Sequence, residues 1–113
     1  MAYDEGLAQR IREMVQNHPG ITERKMFGGL AFMDRGNMCC GIIRSELMVR
    51  VGAEKYTEAL EDPHAREMDF TGKALRGYVY VAENGIDSDI GLHFWIKKGL
   101  DFTATLPAKA GKK

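Results

Sequence analysis

The stretch that decides the fold is Leu30-Ala31-Phe32-Met33, Asp34-Arg35-Gly36-Asn37, Met38-Cys39-Cys40-Gly41-Ile42-Ile43, Arg44-Ser45-Glu46, Leu47-Met48-Val49-Arg50-Val51. Apolar segments rich in aromatic, β-branched and methionine side chains alternate here with short turn signals, the pattern of strands and hairpins. In the first turn, Gly36 or Asn37 can take the positive φ that a tight hairpin needs. Connections this short force antiparallel pairing, because parallel neighbours need a crossover of about a dozen residues. The stretch therefore reads as three strands of a meander, not as a parallel nucleotide-binding sheet.

Working outward, residues 3–17 place Leu7, Ile11, Met14 and Val15 on one helical stripe, and His18-Pro19-Gly20 stops it. Residues 53–60 read as a short helix carrying Tyr56, Ala59 and Leu60, ended by Asp62-Pro63. Residues 68–70 and 75–81 read as a second hairpin around Thr71-Gly72-Lys73. Asp87 or Ser88 can cap a last helix, with Asp89 near its positive end. Ile90, Phe94, Trp95, Ile96, Leu100, Phe102 and Leu106 give that helix a broad apolar face. The order α-β-β-β-α-β-β-α implies an α+β fold: a two-layer sandwich, an antiparallel sheet with helices on one face. One domain is expected over residues 1–107, followed by a flexible basic tail over residues 108–113.

Composition bounds the function. The 113 residues carry 16 basic and 16 acidic side chains, and 44% are apolar, which excludes intrinsic disorder. Zero net charge argues against a domain that grips nucleic acid by bulk electrostatics. The longest uncharged apolar run, residues 26–33, is far short of the roughly 20 residues that span a membrane. Asp4 and Glu5 with no apolar segment behind them do not resemble a secretory signal, so a cytoplasmic protein is expected.

Strand alternation sends Leu47, Val49 and Val51 toward the helices and leaves Met48 and Arg50 on the other face. It also separates Met33 from Phe32, and Tyr78 and Tyr80 from Val79 and Val81. Neither face is cleanly polar, and four of the seven methionines (Met26, Met33, Met38, Met48) lie in or beside the meander. Either these belong to the core and its edges, or the outer face is covered by a protein partner or a second copy. The adjacent Cys39 and Cys40 should point to opposite faces, which rules out an ordinary disulfide between them, and two small hydrophobes filling the sheet are expected.

Catalytic chemistry finds little support. His18, His64 and His93 stand in no recognised arrangement with a nucleophile, and no zinc-ligand spacing or EF-hand pattern occurs, so no catalytic residue, metal or cofactor is assigned. Thr71-Gly72-Lys73-Ala74 lacks the upstream glycine and the following hydroxyl of a phosphate loop. One unit is unusual: Arg24-Lys25-Met26-Phe27-Gly28-Gly29 sets two cations before an aromatic residue and a diglycine. The glycines mark a bend or a close backbone approach, or, with Lys25 and Arg50, an anion-binding cradle.

Lys25-Met26-Phe27-Gly28-Gly29, Gly36-Asn37-Met38 and Leu47-Met48-Val49-Arg50-Val51 resemble the N-terminal domain of the TfoX/Sxy family. The resemblance continues through Pro63-His64-Ala65, Met68-Asp69-Phe70-Thr71-Gly72, Gly77-Tyr78-Val79-Tyr80-Val81, Trp95 and Gly99-Leu100. It implies a fold similar to the secretion chaperones, often dimeric, and regulation of natural competence together with the cyclic-AMP receptor protein. Full-length regulators also carry a C-terminal domain resembling helix-hairpin-helix DNA-binding modules, which the sequence to Lys113 does not include. The expected function is therefore a non-enzymatic bacterial regulatory domain that reaches transcription through a protein partner or homodimer, bound by a sheet face or edge. Direct nucleic-acid binding and membrane association are not expected. The candidate interaction residues are Lys25, Met26, Phe27, Gly28, Gly29, Met33, Met48 and Arg50. The alternative is a small-molecule or anion-binding domain using Lys25, Arg50 and the Gly28-Gly29 turn.

Overall fold

A computed structural model describes residues 3–26, 28–68 and 76–107, and of Met26 the backbone only. Three helices, α1 (Glu5–Val15), α2 (Tyr56–Leu60) and α3 (Asp89–Thr103), accompany six strands. These are β1 (Ile21–Met26), β2 (Gly29–Asp34), β3 (Asn37–Ile43), β4 (Glu46–Arg50), β5 (Ala65–Glu67) and β6 (Tyr78–Val81). They form one sheet in the order β1-β2-β3-β4-β6-β5, and every neighbouring pair is antiparallel. The α+β class and the antiparallel meander are as the sequence implies.

The sheet holds one strand more ahead of α2 than the sequence order suggests. Strand β1 reads Ile21-Thr22-Glu23-Arg24-Lys25-Met26, and residues 22–25 are all exposed. It lies at the sheet edge, where charged side chains discourage pairing with other chains and erase the apolar alternation that reveals a strand. In the second hairpin the strand paired with β6 is Ala65–Glu67; the expected turn at Thr71-Gly72-Lys73 falls in residues 69–75, outside the described residues, as do Phe27 and residues 108–113.

Both long helices start on side-chain caps. Asp4 accepts from the Leu7 amide at 3.1 Å, and Ser88 accepts from the Gly91 amide at 3.0 Å. Leu7, Ala8, Ile11 and Val15 of α1 pack in one core with Leu30, Phe32, Ile42, Leu47, Val49, Val79 and Val81 of the sheet. Tyr56 and Ala59 of α2 and Leu92, Trp95 and Ile96 of α3 close it. A Cβ on Gly99 would lie 2.7 Å from the Cys39 carbonyl oxygen, so α3 crosses β3 at backbone contact distance.

A β-bulge lies at that crossing. Phe32 pairs with Cys40 but Met33 pairs with Met38, which leaves Cys39 as the extra residue. The expectation of opposite-facing thiols fails here: the bulge breaks the alternation, and both cysteines are buried in the helix-side core. Hydrogen bonding with Cys39, then burial, holds the Cys40 thiol well above its usual range, which favours the protonated form.

The end of α3 is clasped to the β2–β3 turn. Thr103 Oγ1 donates to the buried Asp34 carboxylate at 2.7 Å, and Arg35 Nη2 donates to the Thr103 carbonyl at 2.6 Å. Asn37 Nδ2 donates to the Pro107 carbonyl at 2.9 Å. The broad apolar face predicted for this helix is only partly used. Trp95 and Ile96 are buried, whereas Ile90 is 85% and Phe94 48% exposed. Ile90 and Phe94 lie on the side of the helix away from Leu92, Ile96 and Gly99, so one face cannot bury them all. Among the described residues, no helix is long and apolar enough to cross a membrane.

Candidate interaction surface

The face of the sheet away from the helices is built from one row that crosses all six strands. Register places Arg24, Ala31, Gly41, Met48, Tyr80 and Arg66 side by side, from β1 to β5. The middle of the row is closed within the single chain, with Ala31 1% and Met48 2% exposed. Met48 lies over Gly41, where a Cβ would come within 2.8 Å of its terminal methyl group. Gly41 thus leaves room for the methionine.

Arginines and aromatic rings flank this apolar centre. The Arg66 guanidinium lies over the Tyr80 ring at 4.8 Å and forms a two-pronged pair with Glu46 at 2.7 and 2.8 Å. Arg50 lies over the Tyr78 ring at 5.6 Å and the Phe102 ring at 5.1 Å. Met33 and Met38, paired across β2 and β3, are half-buried.

The sequence-chosen residues divide into two groups. Met33, Met48 and Arg50 belong to this face, but Met48 is covered by its own chain and offers a partner nothing directly. Lys25 pairs with Leu30 on the opposite face of the exposed edge strand. Met26 and Gly29 close the β1–β2 hairpin, and Gly28 occupies its turn with φ 76°. Lys25 and Arg50 differ by about 10 Å along the strands and about 14 Å across them, from the register and ordinary strand spacings. The structure therefore does not bring Lys25, the diglycine and Arg50 into one cradle. A Cβ on Gly29 would meet the Ile42 carbonyl, so the two glycines serve a turn and a close approach.

Two features went unread in the sequence. Arg66 and Glu46 come together only through the β4-β6-β5 order, which a local pattern does not contain. Phe102, read as core, instead stacks under Arg50 and lines a cleft of about 600 Å³ with Val51, Lys55, Lys98 and Asp101. Glu54 and Asp101 there balance Lys55 and Lys98, so the cleft has no evident preference for an anion. Among the described residues, no group of three or more His, Cys, Asp and Glu side chains is placed to hold a metal ion.

The sequence model of the TfoX N-terminal domain matches residues 13–103, which include all six strands, α2 and α3. The chain belongs to the TfoX N-terminal domain family. No curated protein and no solved structure matches it at a significant level. In this TfoX-type domain the matched segment contains both the arginine–aromatic rim and the clasp between Asp34 and Thr103.

Two ion pairs make the fold acid-sensitive in a defined direction. Hydrogen bonds from Arg12 hold the Glu23 carboxyl below its ordinary range, and those from Arg66 do the same for Glu46. Groups with depressed folded pKa values stabilise the fold above the unfolded pKa, and that contribution disappears as pH falls through the folded value. Thermal melts should show wild type losing more Tm between about pH 5 and pH 3 than a Glu23→Gln/Glu46→Gln variant, by a few degrees for such exposed pairs. Parallel curves for the two proteins would exclude the contribution.

Proposed function

We propose that this TfoX-type domain is a non-enzymatic bacterial regulator, acting in the cytoplasm through protein contacts and linked to natural competence and its transcription. The observation that carries the reading is the rim of the outer sheet face: Arg50 on Tyr78 and Phe102, Arg66 on Tyr80. Arginine, tyrosine and methionine are the side chains enriched where proteins bind one another. Arg24, Arg50 and Arg66 on this face outnumber Glu46, so the partner segment is acidic. Balanced overall charge gives the domain no bulk attraction for DNA, so control of a promoter would pass through that partner.

The test is complementation of a deletion strain, scored by transformation frequency and competence-gene transcripts. Wild type should restore both. An Arg24→Glu/Arg50→Glu variant, folded by circular dichroism, should restore less than about a tenth, since losing two charge pairs at a rim raises Kd by about that factor or more. Full complementation by the variant removes the surface from the proposal. Unchanged transformability on deletion removes the link to competence.

A further inference from the structure

Strand β1 forms one free edge of the sheet, and a single hydrogen bond fixes which of its backbone groups point outward. The Arg35 amide donates to the Gly20 carbonyl at 2.9 Å, so Gly20 and Arg35 extend the β1–β2 register as a bonded pair. Bonded and unbonded pairs alternate in an antiparallel ladder. Thr22 and Arg24 therefore bond across to β2, while the amides and carbonyls of Ile21, Glu23 and Lys25 face away from it. Among the described residues, no backbone bond outside the sheet engages these outward groups. The opposite edge offers less: β5 has three residues, and its Arg66 is held by Glu46.

Charge on β1 selects what pairs there. Glu23 is neutralised by Arg12 of α1, at 2.6 and 2.9 Å. Arg24 on the outer face and Lys25 on the helix side are exposed, and among the described residues neither has an ion-pair partner. Two adjacent, uncommitted cations, one on each face, disfavour a basic strand and attract an acidic one. A second copy aligned to set Glu23 against Lys25 would also set Arg24 against Arg24. Beside the start of the strand, Val15, Ile21 and Phe32 form the apolar part of an open groove of about 350 Å³. A residue opposite Ile21 on an added strand shares its face of the sheet and points toward that groove. We propose, building on the reading of this domain as a binder of acidic protein segments, that β1 admits a seventh strand from another protein. The incoming segment is extended and antiparallel to β1, as every pair in this sheet is, with adjacent acidic residues opposite Lys25 and Arg24 and an apolar residue opposite Ile21.

The probe is the capped peptide Glu-Glu-Thr-Thr-Val, whose antiparallel register sets its acids opposite Lys25 and Arg24 and its valine opposite Ile21. Titrated into the full chain and followed by nuclear magnetic resonance, it should bind saturably and slow hydrogen exchange at the Ile21, Glu23 and Lys25 amides. The Thr22 and Arg24 amides should exchange slowly even without it. Lys-Lys-Thr-Thr-Val should bind at least about tenfold more weakly. Glu23→Pro removes one outward donor at a position where an edge strand tolerates proline, and should raise Kd by about tenfold with the thermal melt still cooperative. Glu23→Gln keeps that amide and should bind no worse than wild type. Arg50→Glu, three strands away, should bind as wild type. No binding, binding without protection of the three outward amides, or equal binding by Glu23→Pro overturns the proposal. Binding lost in Arg50→Glu but kept in Glu23→Pro overturns it as well, and leaves the sheet-face reading standing.

Discussion

Trp95→Ala is expected to cost about 3–5 kcal/mol, the range for truncating a fully buried large aromatic side chain. Trp95 is 2% exposed and among the largest fully buried side chains. It belongs to the cluster joining α1, α2 and the sheet, so its loss leaves a cavity between layers. The neighbouring backbone has little room to collapse into that cavity. Gly99 already holds α3 against Cys39, and the Asp34–Thr103 hydrogen bond fixes the helix end. Against a typical total of about 5–15 kcal/mol for a domain, the variant should be close to unfolding at room temperature. Urea denaturation followed by circular dichroism reads the loss, because the substitution removes the only tryptophan. Phe94→Ala, one residue away but half-exposed, should cost no more than about 1 kcal/mol. Equal losses for the two would show that α3 does not bury Trp95 and expose Phe94.

The contrast between Trp95 and Phe94 shows what the sequence could and could not reveal. Alternation in Leu47-Met48-Val49-Arg50 is readable because leucine and valine alternate with methionine and arginine, although Met48 on the outer face is buried as well. The meander was readable because its turns are short and rich in glycine, asparagine and charge. By the same local logic β1 escapes detection, since a charged edge strand has no apolar period. The cysteines are the free, buried small side chains the sequence implies; only their facing differs, because a bulge shifts side-chain direction without leaving a mark in composition. Helix α3 shows a third kind of difference. Its apolar residues surround more of the helix than one packing face can cover, and only three-dimensional contact decides which remain outside. The candidate site follows the same pattern: Arg50 and Met33 can be placed on a face, but Phe102 reaches Arg50 from α3, and Arg66 reaches Glu46 from β5 across β6.

Gly29→Ala is expected to destabilise the fold by about 3 kcal/mol, the upper part of the range for overpacking a closed site. The added Cβ would fall well inside contact distance of the Ile42 carbonyl oxygen and 3.2 Å from its carbon. Backbone atoms on β3 cannot turn aside as the end of a side chain can. Relief requires β2 to part from β3 at the start of the meander, where Leu30 pairs with Ile42. Gly28 differs, although it is the adjacent residue of the same motif. Among the described residues nothing lies within 4 Å of its added Cβ, so Gly28→Ala is opposed chiefly by the positive φ of 76°, at about 1–2 kcal/mol. Asparagine tolerates that conformation, and Gly28→Asn should recover most of the loss. Chemical denaturation of the three variants therefore gives an order: Gly29→Ala worst, Gly28→Ala intermediate, Gly28→Asn near wild type. An anion cradle at this turn makes a different demand. It would leave stability little changed in Gly28→Asn, yet abolish any stabilisation by added phosphate. Wild type whose melt does not shift with phosphate, together with the predicted order, assigns both glycines to backbone geometry. A phosphate-dependent shift lost in Gly28→Asn would return them to ligand binding.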